Sequence, residues 1–205
     1  MTAGWVAGSV RGRLLTRRRL GVGGARARSL LPDSVPSATY DAANRQLSFG
    51  GKTMGFDANG NLATLQDGPG LQAFTWDARD RLRGLTGPTT SATFAYDTLG
   101  RRAQRTVNSL LTQYHYDGLD IVRETGGAGD ASYLRSLAID ETLAGNQDTF
   151  FLAEALGSTA ALTDPAGAPV TEYAYSPFGA TSVSGAPSAN PFQYTGREND
   201  GTGLY

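Results

Sequence analysis

Aromatic side chains recur at every second position of this chain: Phe74 with Trp76, Phe94 with Tyr96, Tyr114 with Tyr116, and Tyr173 with Tyr175. The residues between them, Thr75, Ala95, His115 and Ala174, are small or polar. A period of two belongs to the extended strand, whose successive side chains point to opposite faces. Each pair therefore predicts a strand with its aromatics on one face of a sheet and a plainer face opposite.

An aspartate follows most of these strands. Asp41, Asp57, Asp77, Asp97 and Asp117 each come after an aromatic residue, at intervals of 16, 20, 20 and 20. A fixed period of this length marks a repeat architecture. The tetrads beginning at these aspartates are DAAN, DANG, DARD, DTLG and DGLD, and their fourth residues are Asn44, Gly60, Asp80, Gly100 and Asp120. Glycine, asparagine and aspartate accept a left-handed backbone most cheaply. An aspartate at the first position can receive backbone amides from within the turn. Together these features predict a type I turn plus one left-handed residue, closing a three-residue hairpin loop with a bulge. DPAG (Asp164 to Gly167) and SPFG (ending at Gly179) fit the same template, with proline suited to a type I turn. Looser turns lie between, at DGPG (67–70), GPTT (87–90), NSL (108–110) and GGAGD (126–130).

Each unit is thus strand, turn, strand, turn, with strands of about seven residues. The predicted fold is all-β, an antiparallel meander of roughly five to seven repeated hairpins forming an open arc. Such an arc leaves an unpaired strand at each end, an aggregation liability. Residues 32–205 expressed alone are accordingly expected to be poorly soluble or molten.

Composition narrows the chemistry. The 205 residues include no cysteine, so there is no disulfide framework and no thiolate metal site. No run of 18 apolar residues exists to span a bilayer. Residues 1–31 carry seven arginines and no acid, leaving eleven basic against nineteen acidic residues in the rest. The body is a poor nucleic-acid binder. Arginines interrupt the apolar stretch that a secretory signal would need in the leader. A basic arm for nucleic acid is one reading of it. Its lack of periodicity favours a disordered extension, or a start codon assigned inside a longer frame.

Catalytic constellations are sparse. His115 is the only histidine and sits within a predicted strand, where a structural role suits it better than a metal or acid–base role. The acid pairs Asp140–Glu141 and Glu198/Asp200 could serve general acid–base chemistry, but their polar, glycine-rich surroundings favour exposed turns. GVGGAR (21–26) lacks the lysine and the preceding strand of a phosphate loop. Ser158 lies in LGSTA, which is not a nucleophile elbow. The aromatics could stack sugars or bases, yet their regular place beside turns suits packing between hairpins. No catalytic, metal or cofactor residue is expected.

SATYDAANRQLSFGGKTMGFDANGNL (37–62) resembles the tyrosine–aspartate repeats of the Rhs and teneurin class. LGSTAALTDPAGAPVTEYAYSPFGATSVSGAPSANPFQYTGRENDGTGLY (156–205) resembles the Rhs repeat-associated core module. Three departures stand out. FLAEALGS replaces the usual lead-in to LGS, SPFG replaces DPFG, and the chain stops at GLY (203–205). In the family the sequence continues there into an arginine- and tyrosine-rich stretch, which in the bacterial members leads to a self-cleavage motif and then a variable C-terminal toxin. Beyond the basic leader at 1–31, the resemblance implies repeat hairpins at 32–149 and the start of the core module at 150–205. It implies part of a β-shell that encloses a C-terminal toxin polypeptide in bacterial competition, secreted or at the cell surface in full-length members, although no signal peptide is visible here. The implied partners are the rest of the shell and that polypeptide, while the acidic body speaks against nucleic acid. A cell-surface adhesion module that binds glycans or proteins, and a truncated remnant without function, remain alternatives. Self-cleaving protease activity is not expected of this segment.

Overall fold

The computed structural model describes residues 37–204 except 128, 139, 147 and 178, so the predicted leader lies outside the described residues. The first strands are β1 (Ala38–Tyr40), β2 (Gln46–Phe49), β3 (Lys52–Phe56), β4 (Leu62–Asp67) and β5 (Gly70–Trp76). Next come β6 (Leu82–Thr86), β7 (Ser91–Tyr96), β8 (Arg102–Val107), β9 (Leu110–Asp117) and β10 (Asp120–Gly126). The last are β11 (Ala131–Arg135), β12 (Thr142–Gly145), β13 (Thr149–Ala153), β14 (Thr159–Thr163), β15 (Pro169–Tyr175) and β16 (Thr181–Gly185). All sixteen form one antiparallel sheet in strict sequence order, open at β1 and β16. Among the described residues there is no α-helix, only a single 3₁₀ turn at Tyr194–Gly196.

The all-β meander is therefore the fold, with eight hairpins in place of the expected five to seven. The extra ones lie in the second half, where Ser136 and Glu154 open turns that carry no aspartate signal. The strand faces divide as the alternation requires. Phe74, Phe94, Tyr114 and Tyr173 are buried, whereas Thr75, Ala95, His115 and Ala174 are exposed.

Two kinds of turn join the strands. On one rim the loops are mostly three residues long, and the register shifts just before them, at Thr39/Tyr40, Gly55/Phe56, Thr75/Trp76 and Ala95/Tyr96. On the other rim Gly50–Gly51, Gly68–Pro69 and Asn108–Ser109 make two-residue connections. Their positive φ values, 57° and 85° at the glycine pair and 48° and 71° at Asn108 and Ser109, match the primed turns that follow strand twist.

Beyond β16 the chain folds back over the aromatic face. Phe192, 2% exposed, clusters with Tyr114 and Ile121, and Tyr133 and Phe151 pack against them. Leu204, 6% exposed, joins Leu65, Phe74, Leu85, Ala92 and Phe94. The core thus lies between the sheet and its own C-terminal segment.

Candidate functional site

Each regular turn begins with one carboxylate holding the loop. Oδ1 of Asp41 accepts the backbone N–H groups of Ala43 and Arg45 at 2.9 and 2.8 Å. Oδ1 of Asp77 accepts those of Arg79 and Arg81 at 2.8 and 3.0 Å, and Oδ1 of Asp97 those of Leu99 and Arg101 at 2.9 and 2.8 Å. Asp164 holds Ala166 and Ala168 in the same way, but on the opposite rim. Asp57 accepts from the N–H of Asn61, and Ser176 Oγ accepts from that of Ala180. The fourth residues are left-handed: φ is 61° at Asn44, 92° at Gly60, 58° at Asp80, 86° at Gly100, 83° at Gly167 and 81° at Gly179.

DGLD departs from this pattern. Asp117 and Asp120 are strand residues paired with each other, and the left-handed residue is Gly118, φ 58°. The expectation of a left-handed Asp120 is corrected accordingly. Glycine in the second place offers the positive φ one step after the strand, so a two-residue loop closes first.

The free oxygen of the turn aspartate has a second task. Oδ2 of Asp41, Asp77 and Asp97 accepts Nε of Arg45, Arg81 and Arg101 at 2.6, 2.7 and 2.7 Å. Each guanidinium lies over the aromatic ring that precedes the next regular turn or its counterpart. Arg45 stands 5.3 Å from Phe56, and Arg81 and Arg101 each 4.6 Å from Tyr96 and Tyr116. The Arg81 side chain, through its hydrogen bond, holds the Asp77 carboxyl down at about 2. These arginines were missed in the sequence, although DAANR, DARDR and DTLGR display them.

The second aromatic of each pair is half-buried and ties back to the preceding hairpin. Trp76 Nε1 donates to Leu62 O at 2.8 Å, Tyr96 to Leu82 O at 2.7 Å, Tyr116 to Arg102 O at 2.8 Å and Tyr175 to Thr159 O at 2.7 Å. Burial pushes the Tyr116 phenol up to about 12. Phe74, Phe94, Tyr114 and Tyr173 share the buried face as expected; Phe74 and Phe94 pack in one cluster with Leu204, and Tyr114 in another with Phe192.

The segment's contacts make the most concentrated polar site. Asp200, its side chain 3% exposed, accepts from Arg102 Nη1 and from Arg105 Nη1, the latter at 2.9 Å. The expected exposed turn at Glu198/Asp200 is thus overturned for Asp200, which two arginines allow to be buried. Burial alone would lower Arg102, and the neighbouring carboxylate more than offsets it. Arg102 also lies 5.1 Å from the Phe94 ring. Glu124, 8% exposed and opposite Tyr114 in the sheet, is pushed up chiefly by burial, with Arg105 acting the other way. Farther along, Thr159 Oγ1 donates to Phe192 O at 2.7 Å and Thr195 N donates to Ser158 Oγ at 3.0 Å. Tyr133 meets Phe192 edge-on at 4.8 Å. Asp140 pairs with Arg197 at 3.0 Å, while Glu141 stays exposed.

His115 is exposed on the plain face, with Nε2 3.1 Å from Thr125 Oγ1. No group of three or more histidine or acidic side chains able to hold a metal occurs among the described residues. The arrangement is one of fastening: turns braced by ion pairs, and a polypeptide segment fixed across aromatic strands.

The teneurin YD-shell family profile matches residues 32–203. The chain is 30% identical over 182 residues to the tRNA nuclease WapA of Bacillus subtilis, covering 82% of this chain and 8% of WapA. It is 31% identical over 227 residues to the double-stranded DNA deaminase toxin A of Burkholderia cenocepacia, covering 87% of this chain and 16% of the toxin. The Tc holotoxin pore of Photorhabdus luminescens aligns with a TM-score of 0.41 at 15% identity, covering 80% of this chain and 8% of the other. The chain spans well under a fifth of each of these proteins.

Proposed function

Because the chain belongs to the teneurin YD-shell family, we propose that it is a structural segment of an Rhs-type β-shell that encloses a C-terminal toxin polypeptide in competition between bacteria. The observation that carries this reading is the covered aromatic face. Phe192, Asp200 and Leu204 fix an extended segment across strands from β14 back to the core around β4–β7. A sheet that seats polypeptide on one face, and exposes on the other Thr75, Ala95 and His115 together with the apolar Leu71, Leu111, Leu134 and Phe150, suits a wall with an inner and an outer surface. Toxin and nuclease names among the relatives agree with it. The role of these residues is mechanical and not catalytic, and the buried Asp200 is neutralised by its two arginines.

A second reading, adhesion at a cell surface, has its own support. Leu99, Leu119, Leu137 and Leu156 are 75, 86, 108 and 70% exposed at four consecutive turns of one rim. A row of bare leucines is a contact surface in search of a partner. Sequencing the locus separates the two. Further aromatic–aspartate repeats upstream, with a variable tail and an adjacent immunity gene downstream, support enclosure. Upstream repeats with a signal peptide and no tail support adhesion, and frameshifted family sequence behind a stop codon makes the chain a remnant.

A further inference from the structure

The bracing along the aspartate rim repeats, and one of its rungs lacks its arginine. Tyrosine hydroxyls set the register: Tyr96 bonds the carbonyl five residues past Asp77, and Tyr116 the carbonyl five past Asp97. Tyr175 bonds Thr159, five past Glu154. Glu154 opens a loop of the same kind, with Gly157 N donating to Glu154 O at 2.9 Å and φ of 80° at Gly157. Glu154 therefore stands where Asp77 and Asp97 stand. The arginine's place is position 158, and the chain has serine there, fully buried and engaged with Thr195. The Asp57 rung, which also lacks arginine, is closed by Asn61, whose Nδ2 reaches Asp57 at 3.1 Å and Asp80 at 2.8 Å. At Glu154 no arginine or asparagine among the described residues makes this closure, and Tyr194 leans on the Tyr175 ring at its edge. The space is an open cleft of about 270 Å³ lined by Glu154, Leu156, Tyr173, Tyr175, Pro177 and Tyr194.

We propose that this cleft binds the arginine side chain of a partner polypeptide, its guanidinium set between the Glu154 carboxylate and the tyrosine rings. The charge fits, since Glu154 is exposed and is not in an ion pair among the described residues. The rings fit: Tyr173 and Tyr175 stack within 6° at 6.4 Å, and Tyr194 tilts against Tyr175 at 5.6 Å. Guanidinium favours such faces and a carboxylate together, through cation–π attraction and charge-assisted hydrogen bonds. The cleft falls below the roughly 300–1,000 Å³ of drug-sized sites, a size suited to one side chain. Arg81 and Arg101 show from within the chain the contact that the partner makes from outside. Lysine, a compact and strongly hydrated charge, fits less well. The site goes beyond the container reading and does not require an enclosed toxin.

The test is fluorescence anisotropy of a labelled Gly-Gly-Arg-Gly-Gly peptide titrated with the full chain, beside its citrulline and lysine twins. The arginine peptide should bind saturably and roughly tenfold more tightly than the citrulline twin, the value of one charge-assisted contact. Binding should weaken about fivefold or more in Glu154→Gln, persist in Glu154→Asp, and fall with added salt. Glu154 lies exposed on a turn, so these variants keep the fold. Equal affinity for all three peptides, an unchanged affinity in Glu154→Gln, or no saturable binding would overturn the proposal.

Discussion

At the scale of single residues, the aspartate that opens a turn replaces the backbone partners that the loop cannot supply. Its ionised form is the useful one. The carboxyl of Asp77 lies near 2, below the ordinary 3.8, so its contribution is complete above about pH 3.8 and is lost as pH falls through 2. Thermal melts against pH should show wild type losing stability across that window and Asp77→Asn losing less of it. Gly100 makes a different point. Its φ is 86° and a Cβ there would meet nothing closer than 3.9 Å, so Gly100→Ala should cost about 1–2 kcal/mol through backbone strain alone. Denaturant melts give that number directly. Much at this scale was legible because it is local: the aspartate, its loop and the left-handed fourth position lie within five residues. DGLD was misread because Gly118, already visible in the sequence, competes with Asp120 for the left-handed place.

At the scale of elements, hairpins are joined by hydroxyls as well as by the ladder. Tyr96 spends its ring on the aromatic face and its O–H on Leu82 of the hairpin before it. Tyr96→Phe keeps the ring and should cost about 0.5–1.5 kcal/mol in equilibrium unfolding, the net value of one hydrogen bond. Alternation of aromatic and small residues made the strands readable, since period two needs no tertiary knowledge. The number of hairpins was less readable. The turn led by Glu154 closes with the backbone bonds of the aspartate turns, the one led by Ser136 closes one residue later, and neither carries their sequence mark. The bracing arginines stood in view, but each acts on an aromatic ring 11 or 15 residues farther on, a pairing that only the sheet register reveals.

At the scale of the whole molecule, the open sheet is completed by its own tail, which modifies the expectation of a molten chain. The C-terminal segment packs on the aromatic face, and what stays open includes the two edge strands, the leucine rim and exposed apolar residues of the opposite face such as Leu71, Leu111, Leu134 and Phe150. Self-association through those surfaces is the expected behaviour. The pair Leu119→Lys and Leu137→Lys should reduce it in sedimentation velocity without lowering the melting temperature, because both side chains are exposed. None of the tail's docking was legible beforehand. Asp200 and Arg102 are 98 residues apart, and nothing local distinguishes a buried acid from an exposed one. The direct check is a double-mutant cycle on Asp200→Ala and Arg102→Ala, read by denaturant unfolding. A tail fixed across the aromatic strands predicts a coupling of about 1–3 kcal/mol. Costs that simply add, within about 0.5 kcal/mol, would mean that the two side chains do not meet and that the face is left uncovered.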